Sequence, residues 1–139
     1  DAVHMTTFPL GFMIAAWVAF EDLDSECGPL VVYPGSHKLD YKMSDSISKD
    51  LHFDNREYEI FIQNYIEEND LQPHYFAPCK KGDVLIWHHN LLHGGSKIKD
   101  KKKTRRSLVS HYFAKQVIAY HEVTGRKLED YDPFAVIAK

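Results

Sequence analysis

A chain of 139 residues is the size of one domain, and its 44% hydrophobic and 27% charged residues are ordinary for a globular protein with a sizeable core. A net charge of −3 offers no global attraction to nucleic acid or to an anionic membrane surface. No apolar run approaches the roughly 20 residues that a membrane-crossing helix needs. Two cysteines, Cys27 and Cys79, make no disulfide framework, so a reducing cytoplasm is expected. Asp1 to Thr7 carry no basic region of the kind that opens a signal peptide. The chain begins on Asp1 rather than Met, which reads as a trimmed or partial domain spanning residues 1–139.

Taken in chain order, Phe12 to Phe20 is apolar throughout and predicts a fully buried strand. Cys27-Gly28-Pro29 predicts a turn, Leu30 to Tyr33 a second short strand, and Pro34-Gly35-Ser36-His37 another turn. After a polar stretch over 38–54 comes one helix. Asp54 and Glu57 have the spacing of a capping box, and Tyr58, Phe61, Ile62, Tyr65 and Ile66 fall on one stripe. Strand signals resume at His74 to Pro78, Val84 to His88, Leu91 to Gly95 and Arg105 to Lys115, with Lys80-Lys81-Gly82-Asp83 as a turn between the first two. The last 20 residues give no clear pattern. Short strands at this spacing, with one helix, predict a mainly β jelly roll.

Nine histidines invite a metal reading. His37, His52, His74 and His121 stand alone in polar or turn contexts. His88, His89 and His93 share one stretch, where Gly94-Gly95 and the strand before it argue against a helix that would set His89 and His93 on one face. A strand aiming one histidine inward fits better, and His93 is then either a metal ligand or a structural residue. Arg105 and Arg106 open the last long strand. Successive strand residues face opposite sides, so one of the two can point inward. A guanidinium there requires an anionic partner, for which a carboxylate is the natural fit; otherwise both extend into solvent. The run Lys97 to Lys103 lacks interleaved aromatics and reads as a solvated loop rather than a nucleic-acid patch.

Two signatures then stand out in order. The first is Ala16-Trp17-Val18-Ala19-Phe20-Glu21-Asp22 followed by Cys27-Gly28-Pro29-Leu30 and Pro34-Gly35-Ser36-His37-Lys38. The second is Gly82-Asp83, His93-Gly94-Gly95-Ser96 and Arg105-Arg106. Together, over roughly residues 1–115, they resemble the phytanoyl-CoA dioxygenase family. The resemblance implies a double-stranded β-helix jelly roll of the cupin kind, with one inserted amphipathic helix and the N-terminal part of the parent domain lying before Asp1. It implies an Fe(II)- and 2-oxoglutarate-dependent dioxygenase that hydroxylates a small organic substrate with O₂ and releases succinate. Asp1, which stands 16 residues before Trp17, matches the aspartate of the family's HxD pair, and His93 matches its distal histidine; these are the expected iron ligands. His4-Met5-Thr6 is a weaker match, with threonine where the carboxylate belongs. Arg105 matches the arginine that grips 2-oxoglutarate. Arg106 is the neighbour that a one-residue shift would select. Ser107 and Trp17 are expected beside the co-substrate. The alternatives are a jelly-roll binding module that has lost iron, and a zinc or manganese cupin with no need of Arg105.

Overall fold

A computed structural model of the chain describes residues 5–9, 11–38 and 56–121. Eight strands and one α-helix lie among the described residues: β1 Met5–Phe8, β2 Met13–Ala19, β3 Leu30–Val32, α1 Arg56–Glu68, β4 His74–Tyr75, β5 Val84–His88, β6 His93–Gly95, β7 Ser107–Phe113 and β8 Ile118–His121. The strands pair antiparallel in three groups, ordered β5-β2-β7, β4-β3-β6 and β1-β8. This is the mainly β, cupin-like jelly roll with an inserted helix that the sequence predicts.

The core lies between the two three-stranded sheets. From β2 come Ala15, Trp17 and Ala19, from β5 Trp87, and from β3 Leu30 and Val32; Leu23, Cys27 and Cys79 seal one side. Trp17 meets Phe76 edge to face with ring centroids 5.5 Å apart, a geometry that adds to burial because the positive ring edge meets the negative face.

One expectation needs correcting here. The run Phe12 to Phe20 is buried on one face only: Met13, Ala15, Trp17 and Ala19 are inside, while Phe12, Ile14 and Phe20 are about half exposed. A continuous apolar run implies cover on both faces, and among the described residues nothing covers the second.

Other boundaries moved little. Pro34 to Lys38 closes as a turn with a 3-10 segment at Ser36–Lys38. The long last strand begins at Ser107, so Arg105 and Arg106 precede it, and β8 runs into the terminal stretch that gives no clear pattern. The helix runs from Arg56, with Phe61, Ile62, Tyr65 and Ile66 half-buried; Asp54 lies outside the described residues.

The turn before β5 shows how local sequence sets a strand's entry. Asp83 accepts the Lys80 N–H through Oδ2 at 2.8 Å and returns its own N–H to the Lys80 carbonyl, while Gly82 supplies φ +92°. Lys81 N–H and Lys80 Nζ both go to Asp22, fastening this turn to the end of β2. No helix among the described residues is long and apolar enough to cross a membrane.

Candidate active site

The two signature turns bracket β6. On its N-terminal side, the fully buried Ser36 hydroxyl accepts the Leu92 N–H at 2.9 Å. On its C-terminal side, the Pro29 carbonyl accepts both the N–H and the hydroxyl of Ser96, the latter at 2.7 Å. Gly28 makes the second bracket possible. Its φ is +73°, and a Cβ there would stand 2.7 Å from Ile98 Cγ1 and 2.8 Å from the Ser96 carbonyl. Between these anchors β6 pairs with β3, His93 opposite Val32 and Gly95 opposite Leu30.

Val32 and Leu30 belong to the core face, so His93 and Gly95 share it. The His93 ring lies 4.8 Å, centroid to centroid, from Trp87 of the facing sheet. Its Nδ1 is 2.8 Å from the Leu91 carbonyl. A carbonyl only accepts, so Nδ1 carries the proton and Nε2 is left with its lone pair. Burial holds the His93 pKa below the ordinary histidine value, the bond to Leu91 opposing this in part. A neutral imidazole with Nδ1 fixed on a carbonyl is what metal coordination through Nε2 requires.

Opposite His93, one row of the inner sheet runs Trp87, Ala15, His111; the next runs Leu85, Trp17, Val109, and the third contains Ala19 and Ser107. Burial also lowers the His111 pKa, and its imidazole is close enough to depress that of His93. Ser107 is half-buried at the end of this surface, and Trp17 is 2% exposed within it.

Arg105 lies past Ser107, at the rim. Its Nη1 donates to the Gly28 carbonyl at 2.8 Å. The guanidinium lies against Gly95, where an added Cβ would stand 3.2 Å from Nη1. Gly95 is two residues after His93, so β6 carries the imidazole and seats the guanidinium on one face. Arg105 remains exposed at this rim, not sunk in the interior. Arg106 turns away, 75% exposed, with Nε 3.9 Å from Glu21 Oε2. Asp1 and His4 lie outside the described residues. Among the described residues no three His, Cys, Asp or Glu side chains form a group able to hold a metal.

Sequence reasoning missed the carboxylate of Glu21, although the acid stands directly after the tryptophan strand. Glu21 Oε1 accepts Thr104 Oγ1 and the Arg106 N–H, each at 2.7 Å. These bonds hold its pKa below the usual carboxylate value, that from Thr104 first. The basic loop is likewise more than a solvated run, because Lys103 reaches across to both Asp24 and Glu26. The Cys79 thiol is pushed up in pKa by burial, and next by Asp83, which disfavours thiolate chemistry.

A family profile described as Phytanoyl-CoA dioxygenase (PhyH) matches residues 1–107. The chain is 31% identical over 128 residues to the protein named phytanoyl-CoA dioxygenase, peroxisomal, of Homo sapiens, a match covering 88% of this chain and 34% of that protein. It is 27% identical over 135 residues to the Rattus norvegicus protein of the same name, covering 92% and 36%. Against the probable phytanoyl-CoA dioxygenase of Caenorhabditis elegans the identity is 28% over 135 residues, covering 93% and 39%. The chain thus spans a little over a third of the length of these relatives. No solved structure matches it.

Proposed function

The chain belongs to the phytanoyl-CoA dioxygenase family, and we propose that it forms the distal-histidine half of an Fe(II)- and 2-oxoglutarate-dependent dioxygenase that hydroxylates a small organic substrate, converting 2-oxoglutarate to succinate. The observation that carries this reading is the pairing on β6: a neutral, Nδ1-anchored His93, with the Arg105 guanidinium seated over Gly95 two residues on.

Each residue has a physical task in it. His93 offers Nε2 to the metal, with Asp1 as its carboxylate partner. Iron, when bound, supplies the activation of O₂. Arg105 commits Nη1 to Gly28 and keeps its remaining N–H groups for the far carboxylate of 2-oxoglutarate. The Ser107 hydroxyl and the Trp17 ring stand along the inner surface between these two ends and would line the co-substrate's flank. Trp17, Trp87 and Leu85 keep this surface apolar. The two free, buried thiols suit a reducing compartment such as the cytoplasm.

The test uses the full-length protein and follows both succinate release and 2-oxoglutarate binding. Arg105→Ala is expected to raise the 2-oxoglutarate requirement about tenfold or more, since hydrogen bonds to a charged group are worth about 1.5–3 kcal/mol. Arg106→Ala is expected to change it by less than about twofold. The reverse pattern would move the anchor by one residue. Binding of 2-oxoglutarate with no succinate formed from any substrate would favour a binding module that has lost its iron.

A further inference from the structure

We propose that Glu21 is a positioning residue for the co-substrate: its carboxylate fastens the residues on either side of Arg105 and so holds that guanidinium where 2-oxoglutarate meets it. The inference rests on the reading of Arg105 as the dicarboxylate anchor and assigns the groups that aim it.

Arg105 stands where regular pairing has run out. The ladder between β2 and β7 ends at Ala19 opposite Ser107. Beyond it one backbone bond continues the pairing, from the Phe20 N–H to the Arg106 carbonyl at 2.9 Å. Past that bond the chain enters the loop that carries Lys97 to Lys103. A guanidinium on a long side chain at such a point has many rotamers, and a binding group that must first be ordered loses affinity.

Glu21 removes that freedom from the backbone. A single oxygen, Oε1, takes the hydroxyl of Thr104 and the N–H of Arg106, both at 2.7 Å. The residues before and after Arg105 are therefore tied to one carboxylate at the end of β2. The tip of Arg105 is fixed independently, by the Gly28 carbonyl and by the bare backbone of Gly95. Both hydrogen bonds that Glu21 accepts come from neighbours of Arg105, so Glu21 acts through Arg105 and not as a ligand of the co-substrate.

Because one oxygen accepts both bonds, the required property is an acceptor and not a charge. Glutamine retains that acceptor and alanine does not. In the full-length protein with Mn(II) in place of Fe(II), calorimetric titration of 2-oxoglutarate is expected to show Glu21→Ala binding about tenfold more weakly and Glu21→Gln within about threefold of the parent. Thr104→Val, which removes one of the two bonds, is expected to weaken binding about threefold. In turnover assays the Glu21→Ala loss should appear in KM for 2-oxoglutarate, with kcat at saturation within twofold. Asp22→Ala breaks the neighbouring bonds to Lys80 and Lys81 and is expected to leave 2-oxoglutarate binding unchanged.

If Arg105→Ala weakens binding while Glu21→Ala or Thr104→Val does not, the inference is wrong and the reading of Arg105 stands. Equal losses in Glu21→Ala and Asp22→Ala would mean a loosened loop, and would overturn it as well. If Arg105→Ala leaves binding unchanged, the inference and the reading fall together.

Discussion

Among single residues, His89 has the most one-sided environment. It is 6% exposed, its Nδ1 makes no hydrogen bond among the described residues, and the His88 ring lies 4.4 Å from its own, centroid to centroid. Burial, with the His88 imidazole adding to it, lowers its pKa to about 4. The folded state therefore keeps His89 neutral, whereas the unfolded chain protonates it near the ordinary histidine value of 6.5. A base depressed in this way adds stability at pH values above 6.5, and that contribution is lost as pH falls from 6.5 towards 4. At about 1.4 kcal/mol per pH unit, a gap of this size corresponds to roughly 3 kcal/mol. His93 and His111, whose pKa values burial also lowers, act in the same window, while Glu21, Asp22 and Asp24, lowered from 4.5, 3.8 and 3.8, enter only at its acid end. Urea denaturation at a series of pH values from 7 to 4.5 should show the acid slope, and His89→Leu should flatten it. An unchanged slope in that variant would assign the acid sensitivity to other groups. The residue scale is also where the sequence was least legible. The resemblance singled out His93 and Arg105 because each stands in a recognisable string. Glu21 and Gly95 act through a partner distant in sequence, and only the fold shows which guanidinium a given carboxylate or glycine serves.

At the scale of elements, the helix shows what periodicity conveys and what it omits. Apolar residues at three- and four-residue spacing show that a helix is present and which face it buries, with Phe61, Ile62, Tyr65 and Ile66 half-buried, while Asp54, the expected cap, lies outside the described residues. Its C-terminal stop came without the usual glycine. Leu71 N–H bonds to the Ile66 carbonyl and Asp70 N–H to that of Glu67, which is a Schellman closure with Asp70 at φ +48°. A side chain in that left-handed conformation carries a steric cost that glycine avoids. Asp70→Gly is thus expected to stabilise the chain by about 0.5–1 kcal/mol, less whatever the exposed Gln72 bond to Asp70 contributes. Thermal unfolding measures it, and a fall in Tm would show that the Asp70 side chain matters more than its backbone strain. Strands divided along similar lines. β2, β5 and β7 were legible because their length displays a pattern. The four-residue β1 and β8 gain their strand character from pairing with each other, Met5 with His121 through Phe8 with Ile118, across more than a hundred residues. No local window contains that information.

For the molecule as a whole, the two faces of the β5-β2-β7 sheet set the balance between stability and solubility. The inner face contains the buried Trp17 and Trp87. On the outer face, Ile14 lies between His88 and Tyr112, Ala16 between Ile86 and Ser110, and Val18 between Val84 and Leu108. Ile14, Val84, Ile86, Leu108 and Tyr112 are each between 44% and 62% exposed, and they adjoin one another. A contiguous apolar patch of this kind binds hydrophobic probes and promotes association, unlike single exposed apolar residues. The same patch explains why the Phe12 to Phe20 run resembles a strand buried on both faces: its composition suits cover that the described residues do not provide. Lysine at Ile86 and Leu108 would keep alkyl stems along the sheet and bring charge to its surface. In the 139-residue chain, Ile86→Lys with Leu108→Lys is expected to cut the binding of a hydrophobic fluorescent dye by more than half and to lower Tm by no more than a few degrees. Trp17→Ala on the other face is expected to cost about 3–5 kcal/mol, because it removes a filled core position that cannot collapse. Should the double lysine variant unfold as readily as Trp17→Ala, the outer face is packed in solution and the open sheet is not the form the chain adopts there.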